Sequence, residues 1–115
     1  MVDRVIEREL KRGTLEMILL KLISTRAMYG YELISTLERL GGQQFQLKEG
    51  TLYPVLYRLE NAGFIQAKWE TLERGVPRKY YTLTETGVRQ LQTLVDDWQD
   101  FYDAVNRLLN LEATQ

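Results

Sequence analysis

The sequence predicts a mainly α-helical fold with a small β-hairpin, closed by one long C-terminal helix. Three observations carry that reading. Apolar residues recur at helical spacing in three separate stretches before Gly63, two of them at i, i+3, i+4 and i+7. Two short alternating runs follow, joined by a loop rich in turn residues. From Val88 to Leu109 the apolar spacing is 3, 4, 3, 4, 3, 4, a heptad series.

The first helix is expected from about Glu9 to Arg26, on the stripe Leu15, Ile18, Leu19 and Leu22, with Thr14 as its cap if it begins there. The second is expected from about Tyr31 to Leu40. Leu33, Ile34, Leu37 and Leu40 form its apolar face, and Gly41-Gly42 stops it. The third runs from about Glu49 to Ala62, with Leu52, Val55, Leu56 and Leu59 inward and Pro54 in its first turns. Gly50, Pro54, Tyr57 and Asn61 fall on its opposite face, flanked by Thr51, Tyr53 and Arg58. That face carries hydroxyls, an amide and a guanidinium instead of the usual Lys/Glu mixture.

The first strand, Phe64 to Glu70, places Ile65, Ala67 and Trp69 on one side. The second, Arg78 to Leu83, places Tyr81 and Leu83 inward. Thr71 to Pro77 connects them, and Arg74, Arg78 and Lys79 cluster around this loop beside Tyr80. Thr84 is a good N-cap for the last helix, with Glu85 meeting its dipole. That helix is expected to reach about Asn110, roughly 40 Å at ~1.5 Å per residue. Its seam is Val88, Leu91, Val95, Trp98, Tyr102, Val105 and Leu109, and Leu94, Phe101 and Leu108 add a second row. So wide a stripe on so long a helix asks for a partner helix, and the expected assembly is a homodimer. Three helices followed by a two-stranded wing is the winged helix-turn-helix order. The division expected is a reading unit over residues 1–83 and a dimerisation helix over 84–115, built as one compact unit.

Composition narrows the function. With 115 residues, 44% hydrophobic and 27% charged, the chain fits one globular domain. Cys and His are both absent. This removes disulfides, thiol nucleophiles, the commonest general base and the commonest transition-metal ligand. The aspartates at 96, 97, 100 and 103 read as a solvated stripe, so neither an enzyme nor a metal or cofactor site is expected. No apolar run approaches ~18 residues and the N-terminus lacks a signal-peptide core, so the expected location is the cytoplasm, with no membrane role. The net charge of −1 hides an asymmetry. Residues 1–82 hold 13 Lys+Arg against 10 Asp+Glu, and residues 83–115 hold 2 against 6. A basic front and an acidic tail suit a nucleic-acid reader with a separate association element.

On that basis the third helix offers Thr51, Tyr53, Tyr57, Arg58 and Asn61 to base edges, with Lys48 before it near phosphate. Arg74, Arg78 and Lys79 suit phosphates or a minor groove. The alternative is a winged-helix module for protein contacts, with the basic wing incidental; a mobility-shift assay separates the two. Trp98, with Phe101, Tyr102 and the nearby Asp97 and Asp100 carboxylates, reads either as dimer packing or as a wall for a planar, preferably cationic, ligand.

Four motifs carry a family resemblance: Gly13-Thr-Leu15, Tyr29-Gly-Tyr-Glu-Leu33, the run Glu49-Gly-Thr-Leu-Tyr-Pro-Val-Leu-Tyr-Arg-Leu-Glu-Asn-Ala-Gly63, and Gly75-Val-Pro-Arg-Lys-Tyr-Tyr-Thr-Leu-Thr-Glu-Thr-Gly87. Over about residues 10–110 the chain resembles the PadR family of bacterial transcriptional regulators. The resemblance implies a homodimeric repressor on a palindromic operator of double-stranded DNA, released by a small-molecule effector. It also implies DNA contacts from Tyr29 and Tyr31, from Lys48, Thr51, Tyr53, Tyr57 and Arg58, and from Arg74, Arg78, Lys79 and Tyr80. The single C-terminal helix is similar to the short, multidrug-sensing branch, where paired tryptophans sandwich flat drugs, and Trp98 falls at that position. Longer members carry a further helical region that this sequence does not show.

Overall fold

Three helices pack their apolar stripes together because each stripe is too wide to leave in water. A computed structural model describes residues 4–71 and 75–113, with the side chains of 4–12 excepted. Helix α1 is Arg4–Thr25, α2 is Gly30–Gly41, α3 is Glu49–Asn61 and α4 is Glu85–Leu109. The strands are β1 (Met28–Tyr29), β2 (Ile65–Glu70) and β3 (Arg78–Leu83). They form one antiparallel sheet in the order β1-β3-β2.

The core is aliphatic. Leu15, Leu19, Leu20 and Ile23 of α1 meet Leu33 and Leu37 of α2 and Leu52, Val55, Leu56 and Leu59 of α3. Met28, Ile65 and Tyr81 close it from the sheet. Fully burying such side chains stabilises the fold by ~1.5–3 kcal/mol each before chain entropy opposes it.

Several expectations change in detail. Helix α1 starts upstream, at Arg4, so Thr14 lies within the helix and does not cap it. Leu40, expected on the apolar face of α2, is exposed at the rim of a groove it shares with Ile18, Leu22 and Phe45. The Gly41-Gly42 stop holds: Gly42 has φ +69° and opens a short 3-10 turn, Gly42–Phe45. Pro54 is the sixth residue of α3, past the first four free N–H groups, so it removes a bond to the Gly50 carbonyl. Both residues are exposed, where water can serve that carbonyl.

Thr84 caps α4 as its sequence position predicts. Its Oγ1 accepts from the Gly87 N–H at 3.0 Å and donates to the Gly63 carbonyl at 2.5 Å. The Thr84 N–H donates to the Phe64 carbonyl at 3.1 Å. Gly87 is buried against that same Phe64 carbonyl, which a Cβ would strike. The root of the long helix is thus fastened to the turn between α3 and β2. Leu91 and Leu94 pack on the core, while the rest of α4 runs on beyond it in a molecule 70 × 32 × 22 Å.

Candidate nucleic-acid interface

Helix α3 divides cleanly. Its four aliphatic residues are buried, and Thr51, Tyr53, Tyr57 and Arg58 are exposed. Lys48 occupies the N-cap in extended conformation, and its carbonyl accepts from the N–H groups of Thr51 and Leu52. Its side chain is exposed and makes no ion pair among the described residues. Arg58 is different: its guanidinium pairs with Glu16 of α1 at 2.9 Å. That tie holds α3 to α1 and diverts the charge from the outer face.

The start of α2 is built around Tyr29. The Glu32 carboxylate accepts from the Tyr29 N–H at 3.3 Å and pairs with Arg26 at 2.8 Å. Tyr29 sits opposite Tyr80 in the sheet, and their rings meet edge-on at 5.4 Å. The Arg78 guanidinium lies 4.5 Å from the centre of the Tyr29 ring, a cation–π contact that fixes its direction and leaves it exposed. Tyr31 is exposed on the first turn of α2.

Arg78 and Lys79 therefore play separate parts. The alternation of β3 turns Lys79 inward with Tyr81. Its ammonium pairs with Glu60 of α3 at 3.1 Å and sits 5.5 Å from the Tyr81 ring. The hydrogen bond to Glu60 raises the pKa of Lys79, against a smaller desolvation effect. Burial raises that of Tyr81, and the Lys79 charge partly offsets it. Lys79 thus clips the wing to α3, and Arg78 is turned to solvent beside Tyr29, as Lys68 of β2 is also exposed. Arg74 lies outside the described residues.

A cleft of about 360 Å³ runs between the start of α2, α3 and the wing, lined by Tyr53, Trp69, Pro77 and Arg78 among others. Tyr53 packs its ring on Gly30, where any side chain would collide with it. Trp69, placed by alternation on the same side of its strand as Ile65 and Ala67, is exposed in this cleft. It shares the face of buried Ile65, but the core ends before it. Glu16 and Glu60, which decide where two cations point, carry no signal in the sequence.

The last helix leaves a second surface open. Val88, Val95, Trp98, Phe101, Tyr102, Leu108 and Leu109 are exposed, and Val105 is half-buried. Trp98 stacks at a tilt on Tyr102 with ring centres 6.1 Å apart. Between α1 and α4 lies a groove of about 270 Å³ lined by Met17, Leu94, Asp97, Trp98 and Phe101. Asp97 borders it, whereas Asp100 is exposed and does not. Among the described residues no cluster of acidic side chains is placed to hold a metal ion, and no helix is long and apolar enough to cross a membrane.

Three packed helices, a clipped wing and a polar third helix define a winged helix-turn-helix protein. The model of the PadR-like transcriptional regulator family matches residues 19–93. The chain belongs to that family, whose members are regulators and not enzymes. It is 35% identical to a PadR-like transcriptional regulator from Bacillus cereus strain ATCC 14579, whose crystal structure superposes with a TM-score of 0.79 over 90% of this chain and 99% of that one. A PadR family regulator from Eggerthella lenta is 34% identical, with a TM-score of 0.82 over 94% and 92% of the two chains. The negative transcriptional regulator PadR of Bacillus subtilis is 30% identical over 84 residues, which is 73% of this chain and 44% of that protein.

Proposed function

We propose that the chain is a homodimeric DNA-binding repressor that reads a pseudo-palindromic operator with α3 and steadies the complex with its wing. The observation that carries this is the division of α3. Thr51, Tyr53 and Tyr57 are exposed, no acidic residue lies between Gly50 and Arg58, and Arg78 lines the same cleft as Tyr53. Hydroxyls reach base edges, while Lys48 and Arg78 meet phosphates. Residues 1–83 form the reading head and residues 84–115 the dimer helix. The repressor sense follows the Bacillus subtilis relative, named a negative regulator, of which this chain spans less than half. Reading chromosomal DNA places the work in the cytoplasm.

The apolar face of α4 supports the dimer, since seven large exposed apolar residues on one helix exceed what a monomer leaves in water. The groove beside Trp98, with Asp97 at its edge, supports a planar, preferably cationic, aromatic effector bound at that seam. Its release of DNA follows if the bound ligand favours a different separation of the two heads.

The test is a mobility-shift titration with DNA from upstream of the protein's own coding sequence and with a random-sequence duplex. The upstream duplex is bound more tightly, and Thr51→Ala or Tyr57→Ala costs about 1–3 kcal/mol on it alone. Equal loss on both duplexes for every α3 variant contradicts base reading. For the effector, a planar cationic dye quenches tryptophan emission saturably, and Trp98→Ala loses the dye but stays dimeric. A Trp98→Ala dimer weakened by a few kcal/mol, with no saturable quenching in the wild type, identifies the indole as packing.

A further inference from the structure

The inner face of the wing carries a large side chain that the core does not reach. Ile65, Ala67 and Trp69 share that face of β2, and they pass from buried to half-buried to 64% exposed. Trp69 stands opposite Lys79 in the ladder, and Lys79 is drawn away toward Glu60. The indole is left in the cleft that Tyr53 of α3, Pro77 and Arg78 also line. The cleft walls come from α2, α3 and the wing, the three elements assigned above to DNA.

We propose that Trp69 is a DNA-backbone contact. Its ring packs on a deoxyribose and its Nε1–H donates to a phosphate oxygen when α3 enters the major groove. The chemistry of the residue supports this choice of occupant. An indole has an apolar body and one donor, with no acceptor. It therefore matches a sugar next to an anionic oxygen, and its neighbour Arg78 supplies the positive field that brings phosphate there. The contact is neutral, so it adds affinity without releasing a counterion. It is also blind to sequence, because sugar and phosphate carry no base information. The proposal rests on the DNA-reading function and adds to it a residue that neither charge nor base-edge chemistry would select.

The experiment measures binding of the upstream and the random-sequence duplex by the wild type, Trp69→Ala, Trp69→Phe and Arg78→Ala across a range of salt. Trp69→Ala loses roughly ten- to a hundredfold in affinity on both duplexes, the worth of burying one large apolar side chain. Its log–log salt slope stays at the wild-type value, whereas Arg78→Ala flattens by about one unit. Trp69→Phe, which keeps a ring and loses the N–H, falls between. Either duplex changes the tryptophan emission of the wild type, and the change is absent in Trp69→Phe, where Trp98 remains. Wild-type affinity in Trp69→Ala beside weakened Arg78→Ala overturns the proposal and leaves DNA reading intact. A flattened slope in Trp69→Ala overturns the neutral contact. If Trp69→Ala folds poorly, Trp69→Phe and the emission change decide. If the folded wild type retards neither duplex, the DNA-reading function falls and this contact with it.

Discussion

Replacing Gly87 by alanine should weaken this protein, although alanine is the better helix former. Gly87 lies in the first turn of α4, and in an open helix the exchange would add up to ~1 kcal/mol of stability. Here the new methyl group would strike the Phe64 carbonyl and press on the Leu83 side chain. The Phe64 carbonyl is not free to retreat, because it accepts the Thr84 N–H. Relief requires α4 to pull away from the turn after α3. That strains the Thr84 hydroxyl, which bridges Gly87 and the Gly63 carbonyl. Overpacking of this kind costs about 1–3 kcal/mol, and loss of the cap adds ~0.5–2 kcal/mol. The net expectation is a destabilisation of about 1–3 kcal/mol after the propensity gain. Urea unfolding at one fixed protein concentration measures it, since the stability of the proposed dimer would depend on concentration. Gly50→Ala is the control: it is also helical and exposed, and a Cβ there meets nothing within 4 Å. It should be neutral or slightly stabilising. A Gly87→Ala midpoint equal to or above wild type would refute the reasoning that α4 is clamped at its root.

Val95→Glu places a charge in the middle of the exposed apolar seam and should weaken association by about 3–5 kcal/mol if that seam is buried between copies. Sedimentation equilibrium reads the shift to monomer, and a wild-type monomer at micromolar concentration would contradict the dimer. Arg78→Ala should lower the salt slope of DNA binding by about one, whereas Lys79→Met should change it little, because Glu60 already holds that ammonium. The same clip should fail in alkali. The Glu60 hydrogen bond raises Lys79 above its ordinary 10.5, so the pairing is complete below that value and is lost as pH rises through the raised one. Burial raises Tyr81 above 10.0, so its ionisation in alkali works against the fold. Stability curves of wild type and Lys79→Met should converge at the alkaline end, whereas Tyr81→Phe, with no buried phenol to ionise, should fall less steeply than wild type.

Element boundaries were legible where a residue type enforces them. Gly41-Gly42 ended α2, and Thr84 opened α4, because a left-handed stop and a hydroxyl cap are local chemistry. Strand β1 escaped because two residues carry no period; only its pairing with Tyr80 and Tyr81 makes Met28 and Tyr29 a strand. The inward turn of Lys79 was within reach: the alternation that sends Tyr81 and Leu83 inward sends Lys79 with them. The pairing of Arg58 with Glu16 was not, since 42 residues separate partners that meet only through helix packing. Trp69 shows the same boundary from the other side. Its strand face follows from period two, but whether a core lies beneath it depends on how far α3 extends over the wing.

The most direct test of the proposed dimeric reader is a hydroxyl-radical footprint of the protein on DNA from upstream of its own coding sequence. Two reading heads related by the α4 seam should protect two half-sites about one helical turn, ~34 Å, or a multiple of it apart. Thr51→Ala should lose both protections at a concentration where the wild type still gives them. A single protected patch, or protection unaltered by every α3 substitution, would contradict a symmetric dimer reading through α3.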